Sequence, residues 1–171
     1  MAQAEQDRID VNDLNNLHGH RTDAGELDRR AALDGQEAGA REVLERFRQA
    51  AISQSADDMS RVYADDAVHE FPFTRPGLPS RLEGRDEIVN WIAAGWKANA
   101  LKYERYRTLA IHHTSDPDTI IVEQEALGTS ASTGGFALPN VVVLTVRNGQ
   151  IARLRDYVNI PAAAAAMGRD I

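Results

Sequence analysis

Past residue 100 the apolar side chains stop recurring at helical spacing and begin to alternate, and this pattern persists almost to the end of the chain. Four alternating runs follow one another: Lys102–Thr114, Thr119–Ser130, Phe136–Val146 and Ile151–Ile160. The joins between them are short. Asp116-Pro117-Asp118 is a turn, Ser132–Gly135 is polar and rich in glycine, and Asn148-Gly149 is the strongest two-residue hairpin signal in the chain. Four strands joined this way form a meander, and a meander with one apolar face must be covered by something.

The cover comes from the residues before it. Val43, Leu44, Phe47, Ala50 and Ala51 recur at helical spacing, so a folded body beginning near Ala40 opens on an amphipathic helix that ends near Ser53. Ser55 caps a second short helix, with Asp57 and Asp58 in its first turn, and Asp65-Asp66 is expected to break it. Ala67–Phe73 reads as a strand and Arg75–Glu83 as a loop. A third helix spans about 85–98, with Ile88, Trp91, Ile92 and Gly95 on one face. Pro161 starts, and Gly168 ends, a short alanine-rich helix. Helices on one face of a curved antiparallel sheet make an α+β domain, here a cone in which three helices enclose a concave pocket. The body is assigned to residues 39–171. Residues 1–38 read as a polar acidic arm, with nine acids against four arginines. Gly19, Gly25, Gly35 and Gly39 are expected to interrupt any helix there, leaving short helices near Val11–Leu17 and Glu26–Leu33 that form only against a partner subunit.

Composition narrows the chemistry. The 171 residues amount to about one domain. With 19 basic and 26 acidic side chains the net charge is −7, which argues against a nucleic-acid partner. The absence of cysteine excludes disulfides and thiolate chemistry. No apolar run approaches the roughly 18 residues of a membrane span, and the start lacks the order of a signal peptide, so the expected location is the cytoplasm. There is no glycine-rich phosphate loop, zinc-ligand spacing or serine-nucleophile motif, so neither a metal nor an organic cofactor is expected.

Strand alternation sorts candidate residues by face. Leu154, Asp156 and Val158 share one side of the last strand. A carboxylate between two apolar neighbours is costly to bury, and burial moves its pKa toward the range of proton transfer. The alternative is a carboxylate that fixes the sheet by bonding a tyrosine or arginine. In the second strand of the meander, Glu123 and Glu125 share a side, and Glu125 facing Asp156 would make an acid and base pair. The alternative there is an outer face, with Val122, Gln124 and Ala126 turned inward. His69 alternates with Phe71 and Phe73 as either a proton-shuttling imidazole or a satisfied core histidine. Trp91 and Trp96 are lining or core, and Tyr103 and Tyr106 are phenol donors.

Tyr63-Ala-Asp-Asp-Ala-Val-His69, Glu83-Gly-Arg-Asp-Glu-Ile88, Asn148-Gly-Gln-Ile151 and Arg155-Asp-Tyr157 closing on Pro161 come in an order that resembles the SnoaL-like branch of the nuclear transport factor two-like superfamily. The resemblance covers about residues 40–168. It implies an α+β cone with a deep pocket, metal-free and cofactor-free chemistry, and a homodimer formed through the outer sheet face. Its members include polyketide cyclases, ketosteroid isomerases, limonene epoxide hydrolase and phenazine-biosynthesis proteins. Asp156 matches the last-strand catalytic carboxylate of the epoxide hydrolase, and Glu125 its second acid. The arginine that bridges those acids falls at Glu123, and the water-positioning residues fall near His69 and Phe71. The ketosteroid isomerase base falls at Phe71, and its oxyanion tyrosine near Phe47.

These readings converge on a cofactor-independent acid/base enzyme of specialised metabolism, acting on a hydrophobic oxygenated small molecule. Asp156, His69 and Glu125 are its catalytic candidates. Phe47, Phe71, Phe73, Trp91, Tyr106, Glu123, Leu154 and Val158 are its substrate-binding candidates. The alternative is a non-catalytic binding or assembly module built on the same cone.

Overall fold

Helix α1, Ala24–Ser53, opens a computed structural model that describes residues 24–74, 77–98 and 101–169. The helix expected near Val11–Leu17 lies outside the described residues. The chain divides into two units, 1–32 and 33–171, and the described part of the first is the leading stretch of α1. Gly25, Gly35 and Gly39 do not interrupt α1. Each glycine costs roughly 1 kcal/mol in a helix, and the Ala, Leu, Glu and Arg around them are strong helix formers that offset it. The second half of α1 turns Ala40, Val43, Leu44, Ala50 and Ala51 into the core.

Helix α2, Ala56–Val62, begins at Ser55, whose hydroxyl accepts from the Asp58 amide at 3.1 Å. Strand β1, Tyr63–Glu70, follows at once, so Asp65-Asp66 lies inside a strand and does not end an element. A register shift between Tyr63 and Val68 absorbs the two residues, and their carboxylates pair outward, Asp65 with Arg85 and Asp66 with Arg147. Strand β2, Arg81–Glu83, pairs antiparallel with β1 in the segment expected to be loop. Helix α3, Arg85–Ala98, leads to the meander: β3 Leu101–His113, β4 Thr119–Ser130, β5 Gly134–Arg147 and β6 Gln150–Tyr157. Helix α4, Ile160–Ala166, is the last described element.

The sheet order is β2-β1-β6-β5-β4-β3, so the expected α+β fold holds, with β1 added parallel to β6. Asn148 and Gly149, at φ 53° and 71°, form the tight hairpin between β5 and β6. Register shifts at Tyr103/Arg105, Thr108/Ala110 and Thr145/Val146 bend the sheet and give it an inner and an outer face. Pro139 is tolerated in β5 because β6 pairs with β5 only from Val141 onward, leaving that side of Pro139 outside the ladder. The core lies between the inner face and α1–α3, where Leu44, Met59, Tyr63, Ile88, Ile120, Leu144 and Leu154 are fully buried. Among the described residues no helix is long and apolar enough to cross a membrane.

Candidate active site

Helices α1–α3 and the inner faces of β3–β6 surround a cavity of about 230 Å³. Phe47, Trp91, Trp96 and Tyr106 supply aromatic walls, and Gln124, Asn140 and Asp156 supply polar ones. Strand parity puts them there. In β4, Ile120, Val122, Gln124 and Ala126 are buried while the residues between them face out. In β5, Asn140 continues the inward series of Val142, Leu144 and Val146. Asp156 lies opposite Val142, on the inward side of β6 with Leu154. Tyr103 and Tyr106 both reach the cavity although they are three residues apart, because the β3 register shifts between them.

Asp156 is half-buried, facing the cavity. Asn140 Nδ2 donates to its Oδ1 at 2.9 Å. Burial pushes the carboxyl up to about 6, and the Asn140 hydrogen bond only partly opposes this. Burial first, and the Asp156 charge second, raise the phenols of Tyr63 and Tyr103 above their ordinary value. Tyr106 rises for the same reasons, with Tyr103 adding to the effect and the Arg48 cation opposing it. The phenols of Tyr103 and Tyr106 therefore line the cavity as protonated donors at neutral pH. The Asn140 Oδ1 is buried without a partner among the described residues.

His69 is 3% exposed and packs between Tyr63 and Phe71, away from the cavity lining. Its Nδ1 lies 2.9 Å from Tyr63 Oη, and burial lowers its pKa to about 3, so it is a neutral core imidazole. Its Nε2 has no partner among the described residues. Glu125 does not face Asp156. It lies on the outer face in an ion pair with Arg107, and Glu123 pairs there with His112 at 2.8 Å. The inward positions of that strand are taken by Gln124 and Ala126, so both glutamates leave the site.

Of the substrate-binding candidates, Phe47, Trp91 and Tyr106 line the cavity. Phe71 supports it from behind, its ring 4.9 Å from Trp91. Leu154 is fully buried core. Phe73 is 63% exposed and meets Tyr157 edge-on, because the chain leaves the sheet at Glu70 before reaching it. Phe73, Val158 and Glu123 instead line an apolar groove of about 800 Å³ on the outer face, with Leu109, Ile121, Val141 and Val143.

Two polar residues of the site, Arg48 and Asn140, were not among the sequence candidates, and Gln124 entered only as part of an alternative. Arg48 falls on the apolar stripe of α1, four residues after Leu44, and is 3% exposed. Asn140 is the polar member of an otherwise apolar inward series in β5. Both signals were legible. Among the described residues, no group of three or more His, Asp or Glu side chains could hold a metal ion.

Comparison with known proteins agrees with this fold. The model of the SnoaL-like domain family matches residues 44–154. The Bacillus subtilis protein YesE, itself uncharacterized, is 27% identical over 128 residues, covering 74% of this chain and 86% of YesE. An uncharacterized PhzA/B-like protein of Pseudomonas aeruginosa is 32% identical over 108 residues, covering 63% of this chain and 74% of that protein. A Bacillus subtilis crystal structure, provisionally named an isomerase, superposes with a TM-score of 0.72 at 26% identity, covering 80% of this chain and 97% of that one. A Mycobacterium tuberculosis structure described as an epoxide hydrolase similar to LEH shares the fold, with a TM-score of 0.56 at 17% identity over 76% of this chain and 90% of that one. So does a Mycobacterium tuberculosis protein in complex with estradiol-17beta-hemisuccinate, with a TM-score of 0.58 at 19% identity over 72% of this chain and 96% of that one. The chain belongs to the SnoaL-like domain family.

Proposed function

We propose that the chain is a cofactor-independent enzyme in which Asp156 moves a proton on a hydrophobic, oxygenated small molecule. The observation that carries this reading is Asp156 itself: a carboxyl raised to about 6, in an aromatic cavity, held at one oxygen by Asn140. A base with that pKa is half-ionised near pH 6 and mostly carboxylate at neutral pH, so it can take a proton and return it. The phenols of Tyr103 and Tyr106 are placed to donate to an oxygen that gains charge as the proton leaves. With Glu125 outside, Asp156 is the one carboxylate among the described residues that line the cavity. One carboxylate suits an isomerisation, cyclisation or elimination in which the same group shuttles the proton. It does not suit epoxide opening by two acids. We take such a reaction to belong to specialised metabolism, in the cytoplasm, with the outer groove closed by a second copy of the chain.

A surrogate substrate tests the base directly. Ring opening of 5-nitrobenzisoxazole requires only that a base remove its C3 proton as the N–O bond breaks to a phenolate. Turnover is expected to rise with pH through about 6 and then level off, since the carboxylate form is the active one. Asp156→Asn should lower it by about 100-fold or more. Equal turnover in the variant rejects Asp156 as the base. A protein that binds the compound without opening it supports the second reading, a ligand-binding module.

A further inference from the structure

Arg48 is an arginine inside an apolar stripe, and its neighbours show what it does. Its Nε and Nη2 both donate to Gln124 Oε1, at 3.0 and 2.6 Å. Its Nη1 donates to Glu45 Oε1 at 2.5 Å, and its guanidinium lies over the Tyr106 ring, 5.5 Å from the centroid. A guanidinium only donates, so the Gln124 atom facing it must be the carbonyl oxygen. The amide cannot flip without setting an N–H₂ against two N–H donors. Gln124 is 2% exposed and lines both the cavity and the outer groove, and among the described residues its side-chain hydrogen bonds are the two that Oε1 accepts from Arg48. An N–H₂ held in one orientation on a side chain that lines a cavity is a fixed donor for an acceptor that enters it.

We propose that Arg48 and Gln124 form a specificity arm of the cavity: Arg48 is the positioning residue, and Gln124 Nε2 donates to an acceptor oxygen of the ligand. This rests on the cavity being a ligand site, as proposed above. Gln124 pairs in register with Asn140 on β5, and Asp156 lies one strand further on, opposite Val142. Two strand spacings put the Gln124 and Asp156 backbones roughly 10 Å apart. Asn140, the register partner of Gln124 and the hydrogen-bond donor to Asp156, stands on the strand between them. The ligand class is a compact, largely apolar molecule with a carbonyl or ether oxygen at a second position, away from the reacting centre. A pure hydrocarbon would leave the Nε2 unpaired and desolvated.

The test uses two compounds with one carbon skeleton, the ketone carvone and the hydrocarbon limonene. Trp91 and Trp96 line the cavity, so their fluorescence reports binding. In the wild type carvone is expected to bind about tenfold more tightly than limonene, the worth of one buried hydrogen bond. Gln124→Glu keeps the size and the oxygen facing Arg48 but removes the donor. It should abolish the preference for carvone and leave limonene affinity in place, which also shows that the variant folds. Arg48→Lys, which still only donates, should keep the preference, and Arg48→Met should lose it. If both compounds bind and Gln124→Glu leaves the ratio unchanged, the specificity arm is wrong and the cavity reading stands. If neither perturbs the tryptophans, the cavity reading fails and the arm with it. If Arg48→Met retains the full preference, Arg48 is not the positioning residue. Should that variant fail to fold, Gln124→Glu alone decides.

Discussion

Asp156 costs the fold something for the chemistry it offers. Its carboxyl is raised from an ordinary 3.8 to about 6 by burial, so between those values the folded chain holds a proton that the unfolded chain has released. Stability therefore falls as pH rises through that window, and the whole penalty is present at neutral pH. Asp156→Asn keeps the size and removes the charge. It should stabilise the protein by about 1–3 kcal/mol at pH 7.5, with the gain vanishing near pH 4. Urea unfolding of both proteins at the two pH values measures this, and an equal or lower stability at pH 7.5 would mean that Asp156 is solvated. His69 slopes the other way. Its pKa falls from 6.5 to about 3, so it costs stability as pH drops through that range, when the unfolded imidazole takes a proton that the buried one refuses. Comparing each variant with wild type at the same pH cancels that opposing slope.

At the scale of elements, glycines separate what intrinsic propensity decides from what packing decides. Gly39 lies inside α1 with open space where a Cβ would stand, so Gly39→Ala should stabilise the protein by about 0.5–1 kcal/mol. Gly128 sits in β4 where an added Cβ would lie 2.0 Å from the Lys102 carbonyl oxygen and 2.9 Å from Phe136 Cζ, so Gly128→Ala should cost about 3 kcal/mol or more. Thermal unfolding reads both, and a destabilised Gly39→Ala would show that the helix is interrupted there after all. The same contrast explains what the sequence made legible. The meander was readable because β-branched alternation and the Asn148-Gly149 turn agree, and α2 because Ser55 is a strong cap. β2 was not, since three residues between a proline-rich loop and a glycine carry no period, and only pairing with β1 makes them a strand. The ends of β1 were misread for a related reason: Asp65 and Asp66 look like a breaker until Arg85 and Arg147 neutralise them from elsewhere in the chain. In the site, alternation placed Asp156 correctly but left the facing of β4 open. Glu125 and Gln124 are adjacent residues, and only the burial of Val122 and Ala126 on the parity of Gln124 chooses between them.

At the scale of the molecule, the described residues form a cavity and a groove of different character, and the two are assigned different tasks. The cavity around Asp156 draws its lining from helices α1–α3 and strands β3–β6. The outer groove is wider, and its apolar floor includes Leu109 at 54% exposure, with Ile121, Val141 and Val143. It is flanked by paired charges, Arg107 with Glu125 and His112 with Glu123. An apolar centre with a polar rim is the make-up of a protein interface, and a sheet face can meet its own copy across a two-fold axis. Leu109→Asp puts a charge at the centre of that floor on a side chain that already points to solvent, so the fold should survive while a dimer should not. Sedimentation at micromolar concentration should show wild-type dimer and variant monomer. Opening of 5-nitrobenzisoxazole should then persist in the monomer within about threefold, as expected of a surface substitution outside the site, because Asp156, Asn140 and the phenols remain in one chain. A variant that stays dimeric removes the groove from the interface. A monomer that loses turnover would mean that the second copy shapes the cavity, and the site would then have to be rebuilt across two chains.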